Sequence, residues 1–183
     1  MMTPEQALAV HAEADCLYSA SQVETALDSL GTAISGKLAG TNPLLLCVLT
    51  GGMVPMGMLL PRLDFPLHID YIHATRYGGD TSGGEVRWIA RPTTPVKERV
   101  VLLIDDILDE GVTLKTIRDE CLAAGAIAVY IAVLVNKLHE RKNGMEADFV
   151  GLDVEDRYVF GYGMDYKGYL RNANGIFAVK EHA

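Results

Sequence analysis

Three runs of apolar residues, each long enough for one strand and too short for a buried helix, most constrain how this chain can fold. They are Leu44–Leu49, Arg99–Ile104 and Ile127–Val135. Runs without polar alternation suit strands covered on both faces, as in a parallel sheet. Between them the hydrophobic spacing changes to that of a helix. Val23, Leu27, Leu30, Ile34 and Leu38 recur at helical intervals up to Gly40, and Val112–Ala124 reads as an amphipathic helix ending near Gly125. Strands alternating with helices of about a dozen residues imply an α/β fold with a mainly parallel central sheet flanked by helices.

Local signals set the expected limits of these elements. Thr3-Pro4-Glu5 starts a helix, with a hydroxyl cap followed by proline in the first turn. Ser21 and Glu24 have the spacing of a capping box for the second helix. A short helical segment is expected through Leu63, a strand over Leu67–Tyr77, a flexible glycine-rich loop over Tyr77–Glu85 and a returning strand over Val86–Ala90. Short strands are expected at Phe149–Val150, Tyr158–Phe160 and Ile176–Val179.

Composition narrows the function. The 183 residues carry 16 Lys and Arg against 24 Asp and Glu, a net charge of −8, which argues against a protein that tracks nucleic-acid phosphates. The apolar runs are too short for transmembrane helices, so no membrane partner is expected. Cys16, Cys47 and Cys121 lack metal-ligand spacing and read as reduced packing residues. MMTPEQALAVHAEAD does not read as a secretory leader, and a cytoplasmic location is expected.

Chemistry concentrates in Val100–Thr113, where an apolar strand runs into Asp105-Asp106, then Asp109, Glu110, Gly111, Val112 and Thr113 at the start of a helix. In open α/β sheets ligands bind beyond the carboxyl ends of strands. Backbone N–H groups from Glu110 to Thr113 would favour a phosphate at the helix N-terminus, Gly111 would allow close approach, and Thr113 adds a hydroxyl. Asp105 and Asp106 accept hydrogen bonds only, and suit ribose hydroxyls or a hydrated hard cation. Asp109 stands beside them as a proton acceptor. Three acidic side chains at a strand end repel one another unless a cation or polyol is bound.

This segment resembles the phosphoribosyl-pyrophosphate signature of type I phosphoribosyltransferases, and from about Leu44 to Val179 the chain is similar to the hypoxanthine–guanine phosphoribosyltransferases. The resemblance implies a single domain, with a core of about residues 41–147 and a small hood from residues 1–40 and 148–183. It implies that Thr50 and Gly51, in Leu49-Thr50-Gly51-Gly52, bind pyrophosphate through the backbone, with a cis peptide between Leu49 and Thr50. The family commonly has Lys at Thr50, so only the backbone role carries over. Arg76-Tyr77 resembles the start of the mobile loop, with Arg76 in place of the usual Ser. Lys137 would face the purine 6-oxo group, Tyr158 would stack on the base, and Val159 would bind its edge through the backbone. Asp165, with Asp105 and Asp106, would hold Mg²⁺, and Arg171 would contact pyrophosphate.

The implied reaction is phosphoribosyl transfer from phosphoribosyl pyrophosphate to a 6-oxopurine, with Asp109 as general base, in a homodimer or homotetramer. Three other readings remain at this point. A xanthine-preferring relative would share the mechanism. A non-catalytic sensor of phosphoribosyl pyrophosphate would share the signature, although neither a basic RNA-binding face nor an added DNA-binding domain is visible in this acidic chain. A phospho-acceptor receiver would share the acidic pair but leave Gly111-Val112-Thr113 unexplained.

Overall fold

The computed structural model describes residues 2–76, 86–142 and 144–180. In chain order the elements are α1 (Pro4–Glu13), β1 (Asp15–Ser19), α2 (Ala20–Leu38), β2 (Leu44–Leu49), α3 (Met53–Leu59), β3 (His68–Arg76), β4 (Val86–Ala90), β5 (Val100–Leu108), α4 (Val112–Ala123), β6 (Ala128–Leu138), β7 (Phe149–Glu155), β8 (Val159–Phe160) and β9 (Gly175–Ala178). A 3₁₀ turn, Leu60–Arg62, follows α3.

Six strands form the central sheet in the order β4-β3-β2-β5-β6-β7. All neighbours are parallel except the edge pair β3–β4. The two faces of the sheet follow from the two-residue period of a strand. Leu45, Cys47, Leu102 and Ile104 face a core shared with α2 and α3, through Leu27, Leu30, Ile34, Met56 and Leu59. Leu44, Leu46, Val101 and Leu103 face the other way, onto Leu114, Ile117 and Cys121 of α4. The uninterrupted apolar runs are therefore strands covered on both sides.

A second sheet, β1-β9-β8, is antiparallel and joins the two ends of the chain. Phe160 and Phe177 stack there at 5.5 Å, with the His11 ring of α1 edge-on to both. β1 has no counterpart in the sequence reading. Its five residues show no clean alternation, and the strand is defined by pairing with β9 some 160 residues away.

Two expectations change. The α2 cap is Ser19, whose side chain accepts from the Gln22 N–H while Gln22 Oε1 accepts from the Ser19 N–H at 2.9 Å. Ser19 ends β1, so the chain turns two residues before Ser21, and Glu24 is bound instead by Arg62 at 2.5 Å. β7 completes the main sheet beside β6, and α2 packs beneath that sheet. β5 and β6 also run past the ends of their apolar runs, to Leu108 and Leu138, which places the acidic pair and Lys137 on strands. No helix among the described residues is long and apolar enough to cross a membrane.

Leu27 is fully buried between α2 and the sheet. Leu27→Ala is expected to lower unfolding free energy by about 2–5 kcal/mol, measured by urea denaturation. A loss below about 1 kcal/mol would mean that α2 is not part of the main core.

Candidate active site

The site begins in the parallel register of β5 and β6. Asp105 pairs with Val133, Ile107 with Val135 and Leu108 with Asn136. One residue further on, Asp109 leaves β5 beside Lys137 of β6, and Lys137 Nζ lies 2.8 Å from Asp109 Oδ2. His139, two residues after Lys137 and so on the same side of the strand, places Nε2 2.6 Å from Asp109 Oδ1. Burial alone would raise the Asp109 carboxyl, but hydrogen bonds and charge from Lys137 and His139 outweigh it and hold the group below the usual carboxylate range.

Asp105 and Asp106 sit at the end of β5. The Asp105 carboxylate accepts the Asp106 N–H at 2.9 Å, and the Asp106 carboxylate accepts the Ile107 N–H at 2.8 Å. Burial, then the neighbouring Asp106 charge, pushes Asp105 well above the ordinary carboxylate range. Burial raises Asp106 too, opposed by its hydrogen bond with Asp105 and by Arg171, whose Nη1 lies 3.8 Å from it. Two adjacent carboxyls withdrawn from water favour a ligand that brings positive charge or hydroxyl donors.

α4 starts immediately beyond them. Gly111 takes the left-handed conformation at its N-cap, φ 77°, and no side chain caps the first turn. A Cβ at Gly111 would lie 2.7 Å from Met145 Cβ, so the turn needs glycine both for its conformation and for space. The first-turn N–H groups therefore face the cleft without intrahelical partners.

The carboxyl-terminal segment closes the other wall. After β8 the chain folds on itself through Gly161–Met164 and Tyr166–Tyr169 bridges, and Arg171 O accepts the Gly163 N–H. Gly163, φ 111°, presses against the loop after β2, where a Cβ would stand 2.3 Å from Gly51 O. Arg171 donates to Gly163 O and pairs with Asp165 at 2.6 Å. Tyr158 presents a half-exposed ring with Tyr166 edge-on at 5.1 Å, while Val159 is buried in the second sheet.

These pieces line one cleft of about 520 Å³. It brings together Asp105, Asp106, Asp109, Glu110, Gly111, Val112, Thr113, Gly51, Lys137, Tyr158, Val159, Asp165 and Arg171. Thr50 is not among the lining residues, although the Leu49–Thr50 peptide is cis. Arg76 ends β3, and Tyr77 lies outside the described residues. The three expected metal carboxylates do not converge. No group of three metal-ligating side chains forms among the described residues, and Asp165 is held by Arg171 and by the Gly168 N–H. The donor set present suits a cation that keeps one or two protein carboxylates and takes its remaining oxygens from substrate and water.

His139 was not singled out from the sequence. Its only signal there is the Lys-x-His spacing, which places both side chains on one side of an extended strand.

The phosphoribosyl transferase domain model matches residues 14–167. The hypoxanthine-guanine phosphoribosyltransferase of Streptococcus thermophilus is 36% identical, over 90% of this chain and 92% of its own length. That of Bacillus subtilis is 34% identical over the same shares. The crystal structure of a hypoxanthine phosphoribosyltransferase from Staphylococcus aureus superposes with a TM-score of 0.89 at 30% identity, covering 94% of this chain and 95% of that one. With its fold, its acidic strand end and its open helix N-terminus, the chain belongs to the phosphoribosyltransferase family and is a phosphoribosyltransferase of the hypoxanthine-guanine type.

Proposed function

We propose that the protein transfers the phosphoribosyl group of phosphoribosyl pyrophosphate to N9 of hypoxanthine or guanine, giving IMP or GMP and pyrophosphate. The observation that carries this reading is the Lys137–Asp109 pair at the mouth of the cleft. A 6-oxopurine protonated at N7 presents an acceptor, O6, beside a donor, N7–H. Lys137 supplies the complementary donor and Asp109 the complementary acceptor. Adenine would present an amine to Lys137, opposing two donors, and is rejected on that ground.

The segment that opens α4, Glu110 to Thr113, takes the 5′-phosphate, and Asp105 and Asp106 hold the ribose hydroxyls. The backbone of Thr50 and Gly51, together with Arg171, faces pyrophosphate. Tyr158 stacks on the base, and Val159 and Asp165 bind its edge. As the bond from C1′ to N9 forms, the bond from C1′ to the pyrophosphate oxygen breaks and its electron pair leaves with pyrophosphate. The N7 proton passes to Asp109. One or two of the Asp105, Asp106 and Asp165 carboxylates would hold Mg²⁺, which would offset the negative charge that builds on the leaving group. Arg76 and Tyr77 belong to the segment that closes over the reacting centre and excludes water. A cytoplasmic homodimer or homotetramer completes the reading, and the three free cysteines agree with a reducing compartment.

Protein incubated with phosphoribosyl pyrophosphate and Mg²⁺ is expected to give IMP and GMP and no AMP. XMP as the main product would keep the mechanism and change the substrate. No nucleotide from any base, with phosphoribosyl pyrophosphate still bound, would replace catalysis with sensing. Removal of divalent cations by EDTA is expected to stop turnover, and added Mg²⁺ to restore it. Asp109→Ala is expected to lower kcat by about 10²–10⁴, while binding of phosphoribosyl pyrophosphate, followed by calorimetry, changes little. Equal losses in both would remove Asp109 from proton transfer.

A further inference from the structure

Each oxygen of the Asp109 carboxylate has its own donor: Lys137 Nζ on Oδ2 and His139 Nε2 on Oδ1. The two donors are not equivalent. Lys137 lines the cleft, whereas His139 does not, and only 4% of the His139 side chain is exposed. The His139 ring is fixed from behind. Its Nδ1 accepts the Arg141 N–H at 3.1 Å, which makes Nδ1 the acceptor and leaves the proton on Nε2, directed at Asp109. The Arg141 guanidinium in turn grips the Asp156 carboxylate with two hydrogen bonds, at 2.7 and 2.9 Å, which anchors the turn after β6.

We propose that His139 is a positioning residue for Asp109, an assignment that rests on the function proposed above. When a 6-oxopurine enters, its O6 draws on the same ammonium that holds Oδ2. Lys137 then divides its donors between base and carboxylate, and Asp109 keeps a full-strength partner only in His139. The imidazole stays directed at Asp109 Oδ1 through Nε2. It fixes the carboxylate rotation so that Oδ2 faces the N7 proton, and it works through Asp109 without touching the base. A carboxylate left with Lys137 alone either follows the ammonium or swings out of line with N7.

The test compares kcat, KM for base and for phosphoribosyl pyrophosphate, and melting temperature across His139→Ala, His139→Gln and His139→Asn. His139→Ala is expected to lower kcat about ten- to a hundredfold, the loss of a hydrogen bond to a charged group, with KM for phosphoribosyl pyrophosphate unchanged. Gln carries its amide nitrogen out to the Nε2 position and is expected to recover most of kcat. Asn carries its nitrogen only to the Nδ1 position and is not. In an Asp109→Ala background, His139→Ala is expected to bring no further loss, because the two act as one unit. Equal rates for Gln and Asn, or an undiminished loss in the Asp109→Ala background, would reduce His139 to a structural residue. A wild-type protein that makes nucleotide while all three variants match it sinks this assignment alone. A wild-type protein that makes none from any oxopurine sinks the functional reading and this assignment with it.

Discussion

The register between β5 and β6 is the constraint on which the site depends. A parallel pair cannot slip by one residue without turning every side chain to the opposite face, and both strands are packed on both faces by α2, α3 and α4. That packing locks Leu108 opposite Asn136. Asp109, the first residue beyond β5, then meets Lys137 of β6, and His139 follows as the first residue beyond β6. All three lie within two residues of a strand end, and the geometry is inherited from the core.

The electrostatics of the cleft follow from where β5 ends. Its apolar half is buried, and its last residues extend past the helical layers far enough for Asp105 and Asp106 to line the cavity, though not far enough for both to be fully solvated. The fold answers this charge partly with Arg171, 3.8 Å from Asp106 and 2.6 Å from Asp165. Arg171 arrives from near the carboxyl end of the chain, and the Gly163–Gly51 contact holds its segment against the loop after β2. The acidic strand end and its counter-charge thus come from distant parts of the chain that meet at the cleft.

The central sheet was legible because its strands are contiguous apolar runs, and the acidic segment was legible because Asp105 to Thr113 are consecutive. β1 was not. Asp15–Ser19 is too short to show a period and owes its pairing to the far end of the chain. The cap of α2 was misplaced for a related reason. Ser21 and Glu24 have the right spacing, but tertiary pairing gives Glu24 to Arg62 and the turn to Ser19. His139 was missed because its partner is 30 residues earlier in the chain and adjacent only through strand register. The metal carboxylates behave differently: no group of three metal-ligating side chains forms among the described residues, and Asp165 pairs with Arg171.

These differences sort by how each contact is made. Features carried by residues close in sequence, such as the helix start at Gly111, can be read from local chemistry alone. Features made by register, such as the Lys137–Asp109–His139 cluster, need the sheet order β2-β5-β6 and the lengths of β5 and β6 before they become visible. The lengths matter most. Had β5 ended with its apolar run at Ile104, the acidic pair would lie on a loop, and the mutual repulsion of Asp105 and Asp106 could relax by separation. Because β5 continues to Leu108 and β6 to Leu138, the sheet's hydrogen bonds hold the carboxylates and Lys137 in place against that repulsion. The rigidity needed to orient a proton acceptor beside a purine edge is therefore supplied by backbone pairing, which side-chain chemistry by itself could not provide.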